Sequence, residues 1–230
     1  MKNYLLLLFI AILFAMEKPL SAQKQTVEKA IIQRTTTLNY LLWLPENYKK
    51  EKTPDFPLLI FLHGSGERGD SINLVKRNGP PSFIENLPDF PFITVSPQCP
   101  ANTRWNIEDL EAMLKQLQTK YRIDENRIYL TGLSMGGFGT WSWASMHPEH
   151  FAAIVPVCGG GDIQFAGNLK DIPVWAFHGE SDNVVPAKRT VEMVEAVNIK
   201  GGSARMTIYP GVGHDSWINA YAEKDLYTWL

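Results

Sequence analysis

The chain of 230 residues predicts an α/β fold, with a mainly parallel central sheet, helices on both faces and antiparallel edge strands near the N-terminus. Three observations predict it. Short, almost purely apolar runs recur from Pro57 onward, the pattern of strands whose two sheet faces are both covered. Segments with helical apolar spacing alternate with those runs, which calls for repeated βαβ units. Glycine-rich turns follow several of the runs, at the strand ends where parallel sheets carry functional loops.

The first 22 residues are expected to be a secretory leader: Lys2 gives a positive start, residues 3–16 are uncharged but short for a bilayer span, and Leu20-Ser21-Ala22 offers a small-residue cleavage site. Residues 23–230 are then one exported domain, periplasmic or secreted, with no stable membrane insertion after cleavage. The interleaved Thr, Ile, Leu and Tyr between Gln25 and Trp43 predict one or two antiparallel edge strands. Six further strands are expected over residues 58–62, 92–95, 127–131, 152–157, 174–177 and 205–209. Ile107, Leu110, Met113, Leu114, Leu117 and Tyr121 lie on one face of a helix, with Asn106 as N-cap and Asp109 near the positive helix end. Other helices are expected over residues 135–146, 187–199 and 216–230.

Charge and composition exclude several functions. With 22 Lys+Arg against 24 Asp+Glu the net charge is −2, without the basic excess that phosphate neutralisation needs, so nucleic acid is not an expected partner. The 7 Trp, 8 Tyr and 11 Phe read as core filling rather than as a base-stacking platform. At 45% hydrophobic and 20% charged residues the chain is globular, not disordered.

The strongest motif is Gly132-Leu133-Ser134-Met135-Gly136, a G-x-S-x-G between an expected strand and an expected helix. A serine on such a turn is held in a strained conformation that lifts its hydroxyl above the sheet, and the flanking glycines let strand and helix approach closely. A serine hydroxyl needs a base to take its proton and a third group to orient that base. Asp182, in His178-Gly179-Glu180-Ser181-Asp182, and His214, in Gly211-Val212-Gly213-His214, follow later strands in the order Ser, acid, His. Asp162 and Glu180 are rivals for the acid. His178 reads as a loop-packing residue and His63 as a structural one. His147 and His150 could be pictured as metal ligands with Glu149, but Pro148 between them spoils helical ligand spacing, so no metal is expected.

A second glycine-rich stretch, Gly64-Ser65-Gly66-Glu67-Arg68-Gly69, fits G-x-G-x-x-G. A dinucleotide site would need those glycines to open a helix, whereas the stretch soon meets Gly79-Pro80-Pro81, so no cofactor is expected. The better reading is an oxyanion loop, with the backbone N–H of Ser65 (Gly66 as alternative) and of Met135 aimed at the oxygen that turns negative in a tetrahedral intermediate.

Taken with Ser96-Pro97-Gln98-Cys99-Pro100 and Val155-Pro156-Val157-Cys158-Gly159-Gly160, these motifs resemble the α/β-hydrolase superfamily, in particular its lidless phospholipase/carboxylesterase and dienelactone-hydrolase-like branch, including exported bacterial esterases labelled as predicted peptidases. The resemblance implies Ser134 as nucleophile, Asp182 as acid and His214 as base. In that fold the strands before Cys99 and Cys158 stand three positions apart, about 14 Å, beyond the roughly 7 Å reach of a disulfide, so two free buried thiols are expected. The short connection from Val157 to Pro173 has no room for a large lid, so the pocket should be open, with Trp105 and Gln98 in its wall. The expected activity is ester hydrolysis through an acyl-enzyme, on small-molecule or carbohydrate-linked esters such as acetyl or feruloyl groups. Peptide hydrolysis by the same residues and a catalytically silent binding protein are the alternatives.

Overall fold

The computed structural model of the chain describes residues 27, 29–30, 35–49, 55–87 and 89–230. The expected leader lies outside them, as does most of the stretch 25–34. Contacts divide the chain into Met1–Thr35 and Thr36–Leu230, and the second unit holds every element below.

A seven-stranded sheet runs in the order β1-β3-β2-β4-β5-β6-β7. The strands are β1 (Tyr40–Trp43), β2 (Phe56–Leu62), β3 (Ile93–Pro97), β4 (Ile123–Leu133), β5 (Ala153–Val157), β6 (Val174–Gly179) and β7 (Ala204–Tyr209). Edge strand β1 is antiparallel to β3, and all other pairings are parallel. All six apolar runs are thus strands, and β4 begins earlier than its apolar run because Ile123 pairs with Phe56 across a register shift.

Alternation along β2 shows why the runs are apolar throughout. Leu58, Ile60 and Leu62 bury in one cluster, with residues of α1 (Ile107–Lys120), α2 (Met135–Met146) and α3 (Lys188–Ile199). Leu59 and Phe61 point the other way. That second face is covered by short pieces: the 3₁₀ turns Ile72–Arg77 and Ile84–Asn86 and the small helices α4 (Trp217–Tyr221) and α5 (Leu226–Trp229). The side chain of Asn106 accepts the Asp109 N–H at 3.0 Å, the cap read from the sequence.

The expected helix over residues 216–230 is broken in two. Tyr221 and Leu226 bury in the same cluster, yet in a continuous helix residues five apart would face directions about 140° apart. Leaving the helix between them turns both onto the sheet, with the Tyr221 hydroxyl 3.0 Å from that of Thr131.

Because β2 to β7 are parallel, the loops after them gather at one sheet edge. Cys99 and Cys158, just beyond β3 and β5, are free and buried, with β2 and β4 between those strands.

Candidate active site

Ser134 is the single residue between β4 and α2, with φ 53° and ψ −115°. This is a conformation that L residues rarely adopt and that persists only where surroundings over-determine it. Here the Ser134 N–H donates to Val157 O at 2.9 Å and to Cys158 Sγ at 3.2 Å. A Cβ on Gly136 would overlap Leu62 O, and one on Gly132 would press on the Gly136 backbone, so the two glycines admit the crossing of β2, β4 and α2 that lifts the serine.

His214 Nε2 lies 2.9 Å from Ser134 Oγ, and its Nδ1 lies 2.7 Å from Asp182 Oδ2. Asp182 is buried, which alone would raise its pKa, but His214 and the backbone N–H groups of Val185 and Val184 outweigh this and hold the carboxyl below its ordinary range. Both of those N–H groups donate to Oδ1 at 2.8 Å. An ionised carboxylate only accepts, so the His214 proton sits on Nδ1 and Nε2 is left to accept from the serine hydroxyl. That is the tautomer a general base for Ser134 requires.

The loops that carry Asp182 and His214 are lashed together. Glu180 N–H donates to Tyr209 O at 3.0 Å and Ser181 N–H to Val212 O at 2.9 Å, while Gly179 leaves room for the Val212 and Gly213 carbonyls. His178, near the end of β6, is fully buried and packs the loop that follows, with Nε2 3.1 Å from Asp182 Oδ2 and 2.8 Å from Val185 O. The rival acids are engaged elsewhere: Asp162 accepts the Gln164 N–H, and Glu180 the Gly211 N–H.

Ser65 and Met135 both line the cleft beside Ser134. Each is the first residue of a helical turn, whose opening N–H groups have no partner within the turn. The glycine-rich stretch forms the three-residue 3₁₀ turn Ser65–Glu67, not the long helix a pyrophosphate site uses. Below it His63 is fully buried and accepts the Cys99 N–H on Nε2 at 3.0 Å, so Nδ1 carries the proton and donates to Gly64 O at 2.6 Å. Burial drives the pKa of this ring down to about 4, which keeps it neutral.

The cleft has a volume of about 390 Å³. Trp105 lines it as expected, its indole N–H donating to His63 O at 3.2 Å. Gln98 does not. Its buried amide donates to Glu67 O and Ser71 O, both at 2.9 Å, and so ties the glycine-rich loop to the turn that follows it. Arg68, Arg104 and Phe138 complete the wall and were not singled out in the sequence, although a polar Glu67-Arg68 pair between glycines at a strand end was the available signal. Arg68 braces the wall by donating to Ser65 O at 3.0 Å and Thr103 O at 3.1 Å. The connection between β5 and β6 holds only the 3₁₀ segment Ile163–Leu169. At the far end of α2, the objection that Pro148 separates His147 from His150 fails, because the 3₁₀ turn Pro148–His150 stacks their rings at 5.8 Å.

Comparison with known proteins bears on the fold and the family. The chain is 30% identical over 141 residues to a bifunctional acetylxylan esterase/xylanase of Neocallimastix patriciarum, covering 57% of this chain and 20% of that protein. It is 26% identical over 192 residues to a probable feruloyl esterase C of Aspergillus flavus, covering 80% of this chain and 70% of that one. The crystal structure of a thermostable esterase superposes with a TM-score of 0.74 at 34% identity, over 84% of this chain and 58% of that chain. The chain thus spans a fifth of the xylanase relative and little over half of the thermostable esterase. The sequence model of the dienelactone hydrolase family matches residues 95–225, and with a seven-stranded α/β-hydrolase sheet around Ser134 the chain belongs to that family.

Proposed function

We propose that the protein is a serine carboxylic ester hydrolase that works through an acyl-enzyme. The observation that carries the reading is the continuous hydrogen-bonded path from Asp182 through His214 to a Ser134 held at positive φ. In the proposed cycle His214 Nε2 takes the Ser134 proton as Oγ attacks the ester carbonyl, and the imidazolium that forms is stabilised by the Asp182 carboxylate. The N–H groups of Ser65 and Met135 receive the developing oxyanion. His214 then protonates the leaving alcohol, and water repeats the sequence to release the acid.

The substrate class follows from the wall and the relatives. Trp105 and Phe138 give the cleft apolar aromatic sides, and its volume exceeds what an acetyl group fills. An aryl acyl group of the feruloyl kind uses that space, and relatives named as feruloyl and acetylxylan esterases support carbohydrate-linked esters as the natural class. Export by the leader over residues 1–22 would bring the enzyme to such material.

The test is a panel of p-nitrophenyl esters of graded chain length, methyl ferulate and short peptides, each assayed with wild type and Ser134→Ala. Hydrolysis of the esters, abolished by the substitution, is expected. Equal turnover by the two proteins would remove the mechanism, and peptide cleavage exceeding ester cleavage would reassign the activity.

A further inference from the structure

At the end of α2 opposite Ser134, the geometry points to a divalent metal site, best suited to zinc, formed by Glu111, His147 and His150, with Glu149 beside the two histidines on the exposed side. Ligand atoms of Glu111, His147 and His150 all lie within 4.8 Å of one another. His150 Nε2 is 3.0 Å from Glu111 Oε2, and His147 Nδ1 is 3.7 Å from the same oxygen. On the other side Glu149 Oε1 lies 3.5 Å from His147 Nδ1 and 3.8 Å from His150 Nε2. Two carboxylate oxygens and two imidazole nitrogens therefore alternate around a small ring.

Hydrogen bonding accounts for one edge of that ring. The separations of 3.7 and 3.8 Å are too long for it, and that of 3.5 Å is at its limit. They are close to the edge of a tetrahedron around zinc, which at ligand distances of about 2.0–2.1 Å is roughly 3.3–3.4 Å. Two carboxylates facing two imidazoles also bring negative charge and nitrogen and oxygen lone pairs to one place, which suits a divalent cation. The donors are the nitrogen and oxygen types zinc accepts.

The surroundings hold the ligands in place. The indole N–H of Trp143 donates to Glu111 Oε1, leaving Oε2 directed at the two rings, which is the outer hydrogen bond that fixes a metal-ligating carboxylate. His147 caps α2, its backbone N–H donating to Trp143 O at 2.9 Å. The Glu111 side chain is only 13% exposed, whereas Glu149 is 63% exposed, so an ion has both a seated ligand and a path from solvent. Bound there, a metal ties α1 to the end of α2 and to the turn beyond it. The twelve residues of α2 put it about 18 Å from the nucleophile, so it braces the fold and takes no part in hydrolysis.

The test uses the full chain stripped with a chelator and then titrated with zinc chloride by calorimetry, with thermal unfolding followed in parallel. One zinc per chain and a melting temperature that rises with zinc are expected, with affinity falling about tenfold or more in His147→Gln and, independently, in the exposed Glu149→Gln. Ester hydrolysis at ambient temperature should be unchanged in both. No binding, or binding of equal strength in wild type and both variants, would overturn the assignment. Should His147→Gln fail to fold, Glu149→Gln alone decides, since the backbone around it needs no carboxylate.

Discussion

His178 and His214 meet on one atom: their ring nitrogens lie 3.1 and 2.7 Å from the same carboxylate oxygen, Oδ2 of Asp182. His178 Nε2 faces only acceptors, that oxygen and Val185 O, so it carries a proton and is a fourth donor to the Asp182 carboxylate, after Val184 N–H, Val185 N–H and His214. His178→Ala should therefore lower kcat by up to about 10²-fold with little change in KM, since the residue holds the acid without lining the cleft. Steady-state kinetics on a p-nitrophenyl ester separates the two constants, and a change confined to KM would contradict the assignment.

Asp182→Asn should be as informative as loss of the nucleophile. The amide can present N–H to His214, reversing the tautomer and leaving Nε2 unable to accept from Ser134. A drop in kcat of roughly 10⁴-fold is expected, with the fold intact by circular dichroism. Activity near wild type would mean that Asp162 or Glu180 can substitute.

Stability should weaken as the solution is acidified from neutrality. His63 titrates at about 4 when buried and near 6.5 when unfolded, so its contribution is full above the unfolded value and lost as pH falls toward the folded one. Across that window the loss is on the order of 3 kcal/mol. Asp182, also depressed, adds its own loss only at lower pH, as the solution passes below the ordinary carboxylate range and through its folded value. Urea unfolding at pH 7 and pH 5 measures the first effect, and His63→Gln, which does not titrate, should flatten the slope.

Gly136→Ala tests the elbow without removing any reacting group. The new methyl would overlap Leu62 O, a backbone atom at the end of β2 that is paired with β4 and cannot swing aside like a side chain. A loss of about 3 kcal/mol or more is expected, together with loss of activity in whatever folded protein remains. Thermal unfolding within a degree of wild type would show that α2 can shift away from β2.

The two thiols should be silent in the native protein. Burial raises both, Cys158 to about 12, and both are closed off from solvent. Ellman's reagent should find no reactive thiol natively and two after denaturation without reductant. Detecting none in the denatured chain would mean a disulfide.

What was legible in the sequence was what neighbours along the chain determine. Ser134 could be read because the elbow is a local device, five residues long, and the strands because burial on both faces leaves an apolar run. Asp182 and His214 were legible because strand ends in a parallel sheet converge. Gln98 was misread because a residue past a strand can turn either way, and its direction is set by the carbonyls of Glu67 and Ser71, some thirty residues away. The break after Tyr221 was hidden because the demand that Tyr221 and Leu226 face the same cluster comes from the sheet. Glu111 could not be joined to His147 and His150 because it arrives on another helix, and the proline that seemed to forbid the cluster starts the turn that closes it.

The site draws on two separate sources. Arg68, Arg104 and Trp105, which line the cleft, come from the loops after β2 and β3, while Asp182 and His214, which reach Ser134 by hydrogen bonds, come from the loops after β6 and β7. Under the proposed function, an inherited change in the first group would retune which ester is accepted without disturbing proton transfer, and a lineage could therefore explore new substrates by drift on one flank while selection holds the other still.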